Sequence, residues 1–139
     1  MVVLPVFLLL AACAATPDHI PSPLVTLGSI EKAAQPQQVI LQLNLQNRSN
    51  RILPVSTLRY RVDLEDVEFA WGTSRQSVEV PAYGVAVFDI VVPGRMPMVQ
   101  AGQTHLRYHL SGMIHLAGER SPVAFAQDGR LNWQSATAP

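Results

Sequence analysis

The feature that most constrains this chain is a period of two in its apolar residues, which recurs from residue 39 to residue 92. The clearest stretch, residues 58–64, alternates apolar with charged side chains: Leu58-Arg59-Tyr60-Arg61-Val62-Asp63-Leu64. Because successive side chains of a strand point to opposite faces, this pattern predicts antiparallel strands with one buried and one solvated face. A helix would scatter the same apolar residues around its circumference.

Further segments repeat the alternation between turn residues. Residues 39–45 predict a strand that ends at the turn sequence Asn47-Arg48-Ser49-Asn50, and residues 105–116 predict another, with Gly112 as a candidate bulge. Residues 85–92 are apolar on both parities, which indicates either a central strand covered on both sides or an edge strand under a loop. Seven or eight such strands and no long helix predict an all-β sandwich.

Most aromatic residues fall on positions predicted to face inward. Val67, Phe69 and Trp71 alternate in one predicted strand, which we expect Gly72 to close. Core packing therefore accounts for most aromatic side chains better than a sugar-stacking surface does. The exceptions are Tyr83, in a predicted turn, and Trp133, near the end of the chain.

Length and charge narrow the classes of partner. The 139 residues suffice for one domain with its own core. Ten basic and ten acidic side chains cancel, and Lys and Arg form no cluster, so the electrostatic footprint of a nucleic-acid binder is missing. We therefore expect no nucleic-acid partner. With Cys13 as the single cysteine, the chain has neither a disulfide framework nor a cysteine-based metal site.

The first residues predict export. Residues 2–10 are apolar apart from Pro5, and the run is too short to span a bilayer. It leads to Leu10-Ala11-Ala12-Cys13, which resembles the lipobox of bacterial lipoproteins. In that family the signal is cut before the cysteine, which carries the lipid. The alternative is an ordinary export signal that is cleaved at another position.

The lipobox resemblance implies a membrane protein held by lipid on Cys13. It divides the front of the chain into a signal peptide, residues 1–12, and a proline-containing lipidated tether, residues 13–23. Ala14 stands where an Asp would signal retention in the inner membrane. The resemblance therefore implies an outer-membrane lipoprotein that faces the periplasm.

Four short motifs occur in order: Asn47-Arg48-Ser49-Asn50-Arg51-Ile52-Leu53-Pro54-Val55, Leu58-Arg59-Tyr60, Ala70-Trp71-Gly72 and Val80-Pro81-Ala82. Together they resemble the late-embryogenesis-abundant group 2 (LEA type 2) family and its WHy (water stress and hypersensitive response) domain, over about residues 24–131. The family opens this block with Asn-Pro-Asn, whereas this chain has Asn47-Arg48-Ser49. Asn and Ser side chains can still close a turn through bonds to the backbone.

This second resemblance implies an immunoglobulin-like or fibronectin-III-like antiparallel β-sandwich of seven to eight strands at residues 24–133, followed by a flexible tail at residues 134–139. It implies a protein that is not an enzyme, needs no cofactor and protects proteins or membranes during desiccation or other stress. The residues that we expect to mark the fold are Asn47, Pro54, Gly72 and Pro81.

The titratable residues do not form a site that the sequence can identify. His105, His109 and His115 share one strand face, but residues four apart on a strand are separated by about 13 Å, too far to hold one metal ion. We expect them to be solvated. Four acidic residues surround the predicted hairpin turn at residues 64–67, where a solvated tip is favoured over a calcium site: Asp63, Glu65, Asp66 and Glu68.

Three hypotheses for function remain. The first is a non-catalytic, lipid-anchored periplasmic protein of the LEA type 2 kind, which acts on stress-labile proteins or membranes through its surface. The second is an envelope docking or assembly module that offers an edge strand to a specific protein partner. The third is an enzyme or carbohydrate-binding module, which would need a deep pocket with convergent polar groups.

Overall fold

The computed structural model describes residues 21–133, and these residues form eight strands in two antiparallel sheets. This confirms the predicted all-β sandwich. The strands are β1 (Leu24–Lys32), β2 (Gln38–Gln46), β3 (Leu53–Leu64), β4 (Val67–Ser74), β5 (Val78–Val80), β6 (Val85–Pro93), β7 (His105–Leu116) and β8 (Val123–Asn132). The predicted signal peptide, the lipid site Cys13, most of the tether and the tail at 134–139 lie outside the described residues.

The two sheets differ in size. The small sheet has the order β1-β2-β6, and the large sheet has the order β4-β3-β7-β8 with β5 paired to the first part of β3. Their inner faces share one hydrophobic core, with Phe88, Leu41 and Leu110 among its fully buried side chains. The alternation predicted for β2, β3 and β7 is confirmed, since their apolar positions are buried and their polar positions mostly are not.

The parity predicted for β4 is wrong at Val67, which is 67% exposed, and again at Trp71, while Phe69 is half buried against the core. In the pairing with β3, Val62 lies opposite Ala70, but the next residue, Asp63, lies opposite Glu68, so Phe69 is an extra residue in a bulge. A bulge of one residue exchanges the faces of everything after it. Ala70 therefore points into the core, and Trp71, predicted to be buried, is 72% exposed on the outer face.

Two glycines also differ from their predicted roles. Gly72 does not close β4, which continues to Ser74; it lies opposite Tyr60, whose hydroxyl would be 2.8 Å from a Cβ at this position. Gly112 is no bulge, because β7 pairs in regular register on both sides of it. A Cβ at Gly112 would collide with the backbone carbonyl of Arg59, so the close approach of β3 requires glycine there.

Strand β6 is an edge strand of the small sheet, paired to β2. Of the two arrangements left open by the sequence, the central one is wrong. The second face of β6 is open to solvent, with Val85, Val87 and Val91 about half exposed. Within residues 21–133, no helix is long and apolar enough to cross a membrane.

Candidate functional site

Asn47 follows β2 directly and is the most buried polar side chain among the described residues, at 1% exposure. Its amide nitrogen donates to three backbone carbonyls, those of Arg51 (2.7 Å), Pro81 (3.0 Å) and Val80 (3.2 Å). Its amide oxygen accepts from the backbone N–H of Ser49 at 3.0 Å and from the Ser49 hydroxyl at 2.8 Å. Both ends of the amide are therefore satisfied without water.

The Asn47 bonds join two turns that are far apart in sequence. Val80 and Pro81 lie 33 and 34 residues after Asn47; Val80 is the last residue of β5, and Pro81 begins the connection to β6. Two backbone bonds strengthen this junction: Asn47 N–H donates to Gly84 at 2.8 Å, and Tyr83 N–H donates to Ser49 at 3.1 Å. We call this group of residues, Asn47, Ser49, Arg51 and 80–84, the turn junction. It fixes the end of β2 against the start of β6.

The other predicted marker residues have separate places. Pro81 belongs to the turn junction, where its carbonyl accepts from the Gly84 N–H at 2.8 Å as well as from Asn47. Pro54 lies at the start of β3, opposite Glu79 of β5, and its carbonyl accepts from Ala117. Gly72 lies in β4 beneath the exposed Trp71, away from this junction. The structure thus brings Asn47 and Pro81 together.

Arg48 occupies the position at which the LEA type 2 motif has proline. Its guanidinium donates from Nε and Nη2 to the carbonyl of Ser22, at 2.9 and 2.6 Å. This bidentate contact holds the segment that enters β1 beside the turn junction. At this position the chain therefore has a long-range hydrogen bond where the motif has a stiff residue.

The outer face of the large sheet carries an open cleft of about 480 Å³ beside Trp71. Trp71 lies opposite Arg61 of β3, and the neighbouring cross-strand row contains Thr73, Arg59 and Met113. We call this surface the Trp71 face. Sequence reasoning missed it, because the bulge at Phe69 leaves no mark on the apolar period.

Arginines dominate the polar edge of the Trp71 face, and they differ in their partners. Arg61 donates from Nε to Asp63 at 3.1 Å and lies 3.5 Å from Glu68, so two carboxylates orient it. Arg59 is exposed, and it makes no ion pair with any carboxylate of residues 21–133. The face therefore presents one neutralised and one uncompensated guanidinium.

The acidic hairpin tip between β3 and β4 is held by a residue of β7. Glu65 and Asp66 both have positive φ, 49° and 65°, which suits a tight two-residue turn. Glu65 accepts the backbone N–H of Arg107 at 2.8 Å and pairs with its guanidinium at 3.1 Å. The backbone bond from Arg107, with help from its guanidinium, lowers the pKa of Glu65 below its ordinary value of 4.5.

The histidines lie along the outer face of β7, as predicted from parity, and have separate partners. His109 pairs with Asp128 of β8, and His105 Nδ1 lies 2.9 Å from the Thr104 hydroxyl. No group of three metal-binding side chains occurs within residues 21–133. Tyr83 is exposed, as expected, whereas Trp133 is half buried against the core.

Comparison with solved structures agrees with this architecture. The solution structure of AT1g01470 from Arabidopsis thaliana is similar at a TM-score of 0.55 and 11% identity, over 84% of this chain and 87% of that chain. The plant protein At2g46140.1, described as a candidate late embryogenesis abundant (LEA) protein, is similar at a TM-score of 0.50 and 15% identity, over 84% and 74%. No family model and no curated protein sequence matches the chain. At these identities the similarity establishes a shared LEA-like fold.

Proposed function

We propose that this protein is a non-catalytic LEA type 2 protein that protects neighbouring proteins or membranes during desiccation or related stress. The observation that carries the proposal is the sandwich shared with the candidate LEA protein over 84% of this chain. The turn junction adds to it, because Asn47, the first residue of the family's motif, closes two turns at once.

The distribution of polar groups supports an action through the surface. Among residues 21–133 the buried polar side chains are Asn47 and Ser49, and both are used up within the turn junction. Carboxylates, guanidiniums and histidines lie on the outer faces instead. A folded surface that carries the polar and charged groups can bind water and neighbouring molecules without opening the core.

A drying assay tests this proposal. Purified protein is mixed with a labile enzyme, dried, rehydrated and assayed for remaining enzyme activity. An equal mass of an unrelated β-sandwich of similar net charge serves as control, since any added protein shields to some extent. Protection well above this control supports the proposal, and protection equal to it overturns the LEA type 2 function.

Attachment to the membrane is a separate part of the proposal. We propose that the lipobox-like Leu10-Ala11-Ala12-Cys13 directs lipidation of Cys13, and that the domain faces the periplasm from the outer membrane. Incorporation of radioactive palmitate into the wild-type chain, absent from a Cys13→Ala variant, supports the anchor. A variant that remains labelled and stays in the outer-membrane fraction contradicts it.

Strand β6 favours a second candidate function, docking to a specific envelope protein. Its exposed valines, Val85, Val87 and Val91, form an apolar row on an edge strand, and exposed edges can accept an added strand. Asp89 lies on the same face, opposite Gln42 of β2. The partner segment that fits is an extended, β-branched strand with a basic residue beside Asp89.

The Val87→Lys variant distinguishes docking from general protection. It places a charge in the middle of the exposed row without touching the core, so folding should be retained. A stoichiometric partner captured by the wild-type chain and lost in this variant supports docking. If the variant and wild type protect dried enzyme equally, and neither chain captures a defined partner, the protective function is favoured.

A further inference from the structure

Trp71 presents a large indole surface that the core does not use. Its side chain is 72% exposed on the outer sheet face, where Met113 is the other large apolar residue of the cleft and is itself 42% exposed. Aromatic rings of this size contribute strongly to recognition when a flat apolar ligand covers them. The backbone beneath is fixed, because Gly72 and Tyr60 pack against each other directly below.

The polar groups around the indole restrict the chemistry of the ligand. Arg59 offers an exposed guanidinium with no carboxylate partner among residues 21–133. The charge complement of an unpaired guanidinium is a carboxylate or phosphate, which it binds through two parallel N–H bonds. Glu68 and the Ser111 hydroxyl, also in the cleft, can bond to hydroxyl groups of a ligand.

The shape of the cleft favours a chain over a single small molecule. It is an open trough, and beyond Ser111 and Met113 the next strand contributes the small residues Ala126 and Ala124. Both alanines are exposed, so no large side chain blocks the outer face on that side of the cleft. A carbohydrate-binding module of the kind considered from the sequence needs a deep pocket. A polymer that lies along the open outer face of the sheet does not need one.

From this geometry we propose that the Trp71 face binds an acidic polysaccharide, with the indole stacked on a pyranose ring and Arg59 paired with the carboxylate of a uronic acid unit. The stacked ring uses the apolar C–H face of the sugar, and the hydroxyl groups meet Glu68 and Ser111. This binding is separate from the protective role and does not depend on it.

An anionic membrane surface fits the same face less well. Asp63, Glu68 and Asp128 lie on the outer face of the large sheet, and Asp66 lies at its hairpin tip. These carboxylates would repel a continuous sheet of negative headgroups, whereas a polysaccharide whose uronic acid units alternate with neutral sugars can place one carboxylate on Arg59 alone. The polysaccharide is therefore the occupant that the charge pattern favours.

Tryptophan fluorescence measures this binding directly, because Trp71 and Trp133 are the two tryptophans of the chain and replacing Trp133 leaves Trp71 as the emitter. In the full chain carrying Trp133→Phe, emission comes from Trp71 and is titrated with hyaluronan oligosaccharides, in which each uronic acid unit alternates with a neutral sugar. The matched control ligand is the same oligosaccharide with its carboxylates methyl-esterified. We expect saturable quenching by the acid form, with affinity about tenfold or more above that of the ester, because a charge-assisted bond is lost. Equal affinities, or no quenching, overturn the proposal.

Variants locate the site by calorimetry, with Trp133 unchanged. Trp71→Ala should abolish saturable binding, and Arg59→Gln should reduce the preference for the acid form over the ester. Tyr83→Ala, which removes an exposed aromatic ring elsewhere, should bind as wild type does. Binding that survives Trp71→Ala overturns the assignment of the face. Vesicles of anionic phospholipid that bind through Trp71 while the oligosaccharide does not also overturn it.

Discussion

The turn junction and the acidic hairpin tip both tie a turn to a distant part of the chain, but they differ in burial. In the turn junction, the amide of Asn47 is enclosed and meets five hydrogen-bond partners. At the hairpin tip, Glu65 pairs with Arg107 in contact with solvent. An enclosed group leaves its partners unsatisfied when it is removed, whereas exposed groups turn to water. We therefore expect the two clusters to contribute very differently to stability.

Asn47→Ala should have the largest effect. The substitution removes five hydrogen bonds at once, although the Pro81 carbonyl keeps the Gly84 N–H and the Ser49 hydroxyl keeps the Arg51 carbonyl as partners. We expect a cost of about 3 kcal/mol in the free energy of unfolding. For a domain of this size that corresponds to a loss of roughly 10 °C in Tm. Chemical denaturation followed by far-ultraviolet circular dichroism measures it. A loss as small as that of a surface substitution would contradict the role of Asn47 in joining the turns.

Ser49→Ala tests the same junction from its second buried polar residue. The hydroxyl donates to the Asn47 amide oxygen, which keeps the backbone N–H of Ser49 as a donor after the substitution. The hydroxyl also lies 3.1 Å from the Arg51 carbonyl and accepts from the Arg51 N–H at 3.3 Å, so we expect a loss of about 1–2 kcal/mol. In the double variant with Asn47→Ala, the two losses should be less than additive, because each substitution removes the same bond. Strict additivity in a double-mutant cycle would show that the two side chains act independently.

Glu65→Gln should lower Tm slightly at neutral pH, and this small difference should depend on pH. The folded pKa of Glu65 is lowered, so its contribution is present above the ordinary value of 4.5 and is lost as pH falls through the folded pKa. The difference in Tm between wild type and variant should therefore shrink as pH is lowered from about 6 toward about 3. A difference that grows on acidification would have the wrong sign.

Trp71→Ala should have the smallest effect on folding, within about 0.5 kcal/mol, because the side chain is on the surface. This variant also distinguishes the structure, in which Trp71 is exposed, from the sequence-based prediction that Trp71 is buried in the core. A loss of several kcal/mol in the free energy of unfolding would indicate that Trp71 is buried, and would contradict the bulge at Phe69.

The sequence predicted the strands well because alternation is a local signal. Leu41 and Val62 are buried as their parity requires, and the turn before Gly84 is where proline and glycine indicated it. What the sequence could not supply depends on pairing between distant strands. The extra residue at Phe69 exists only relative to β3, and the exposed edge of β6 follows from sheet order.

The same limit applies to the candidate sites. Asn47 was recognised as a turn residue, but its bonds to Val80 and Pro81 join segments more than thirty residues apart, which no local pattern contains. The sequence did not predict the Trp71 face, because the alternation assigned Trp71 to the inner side of the sheet. Both cases depend on which strands become neighbours, and that is decided by burial of the whole core.

The most direct test of the account asks whether the folded surface gives the protection. Wild type and Asn47→Ala have nearly the same composition, and they can be compared in the drying assay at a temperature between their two midpoints, where wild type is folded and the variant is not. We predict that wild type preserves the labile enzyme well above the unrelated β-sandwich, and that the unfolded variant falls to the level of this control. Equal protection by the folded and unfolded chains would contradict the account.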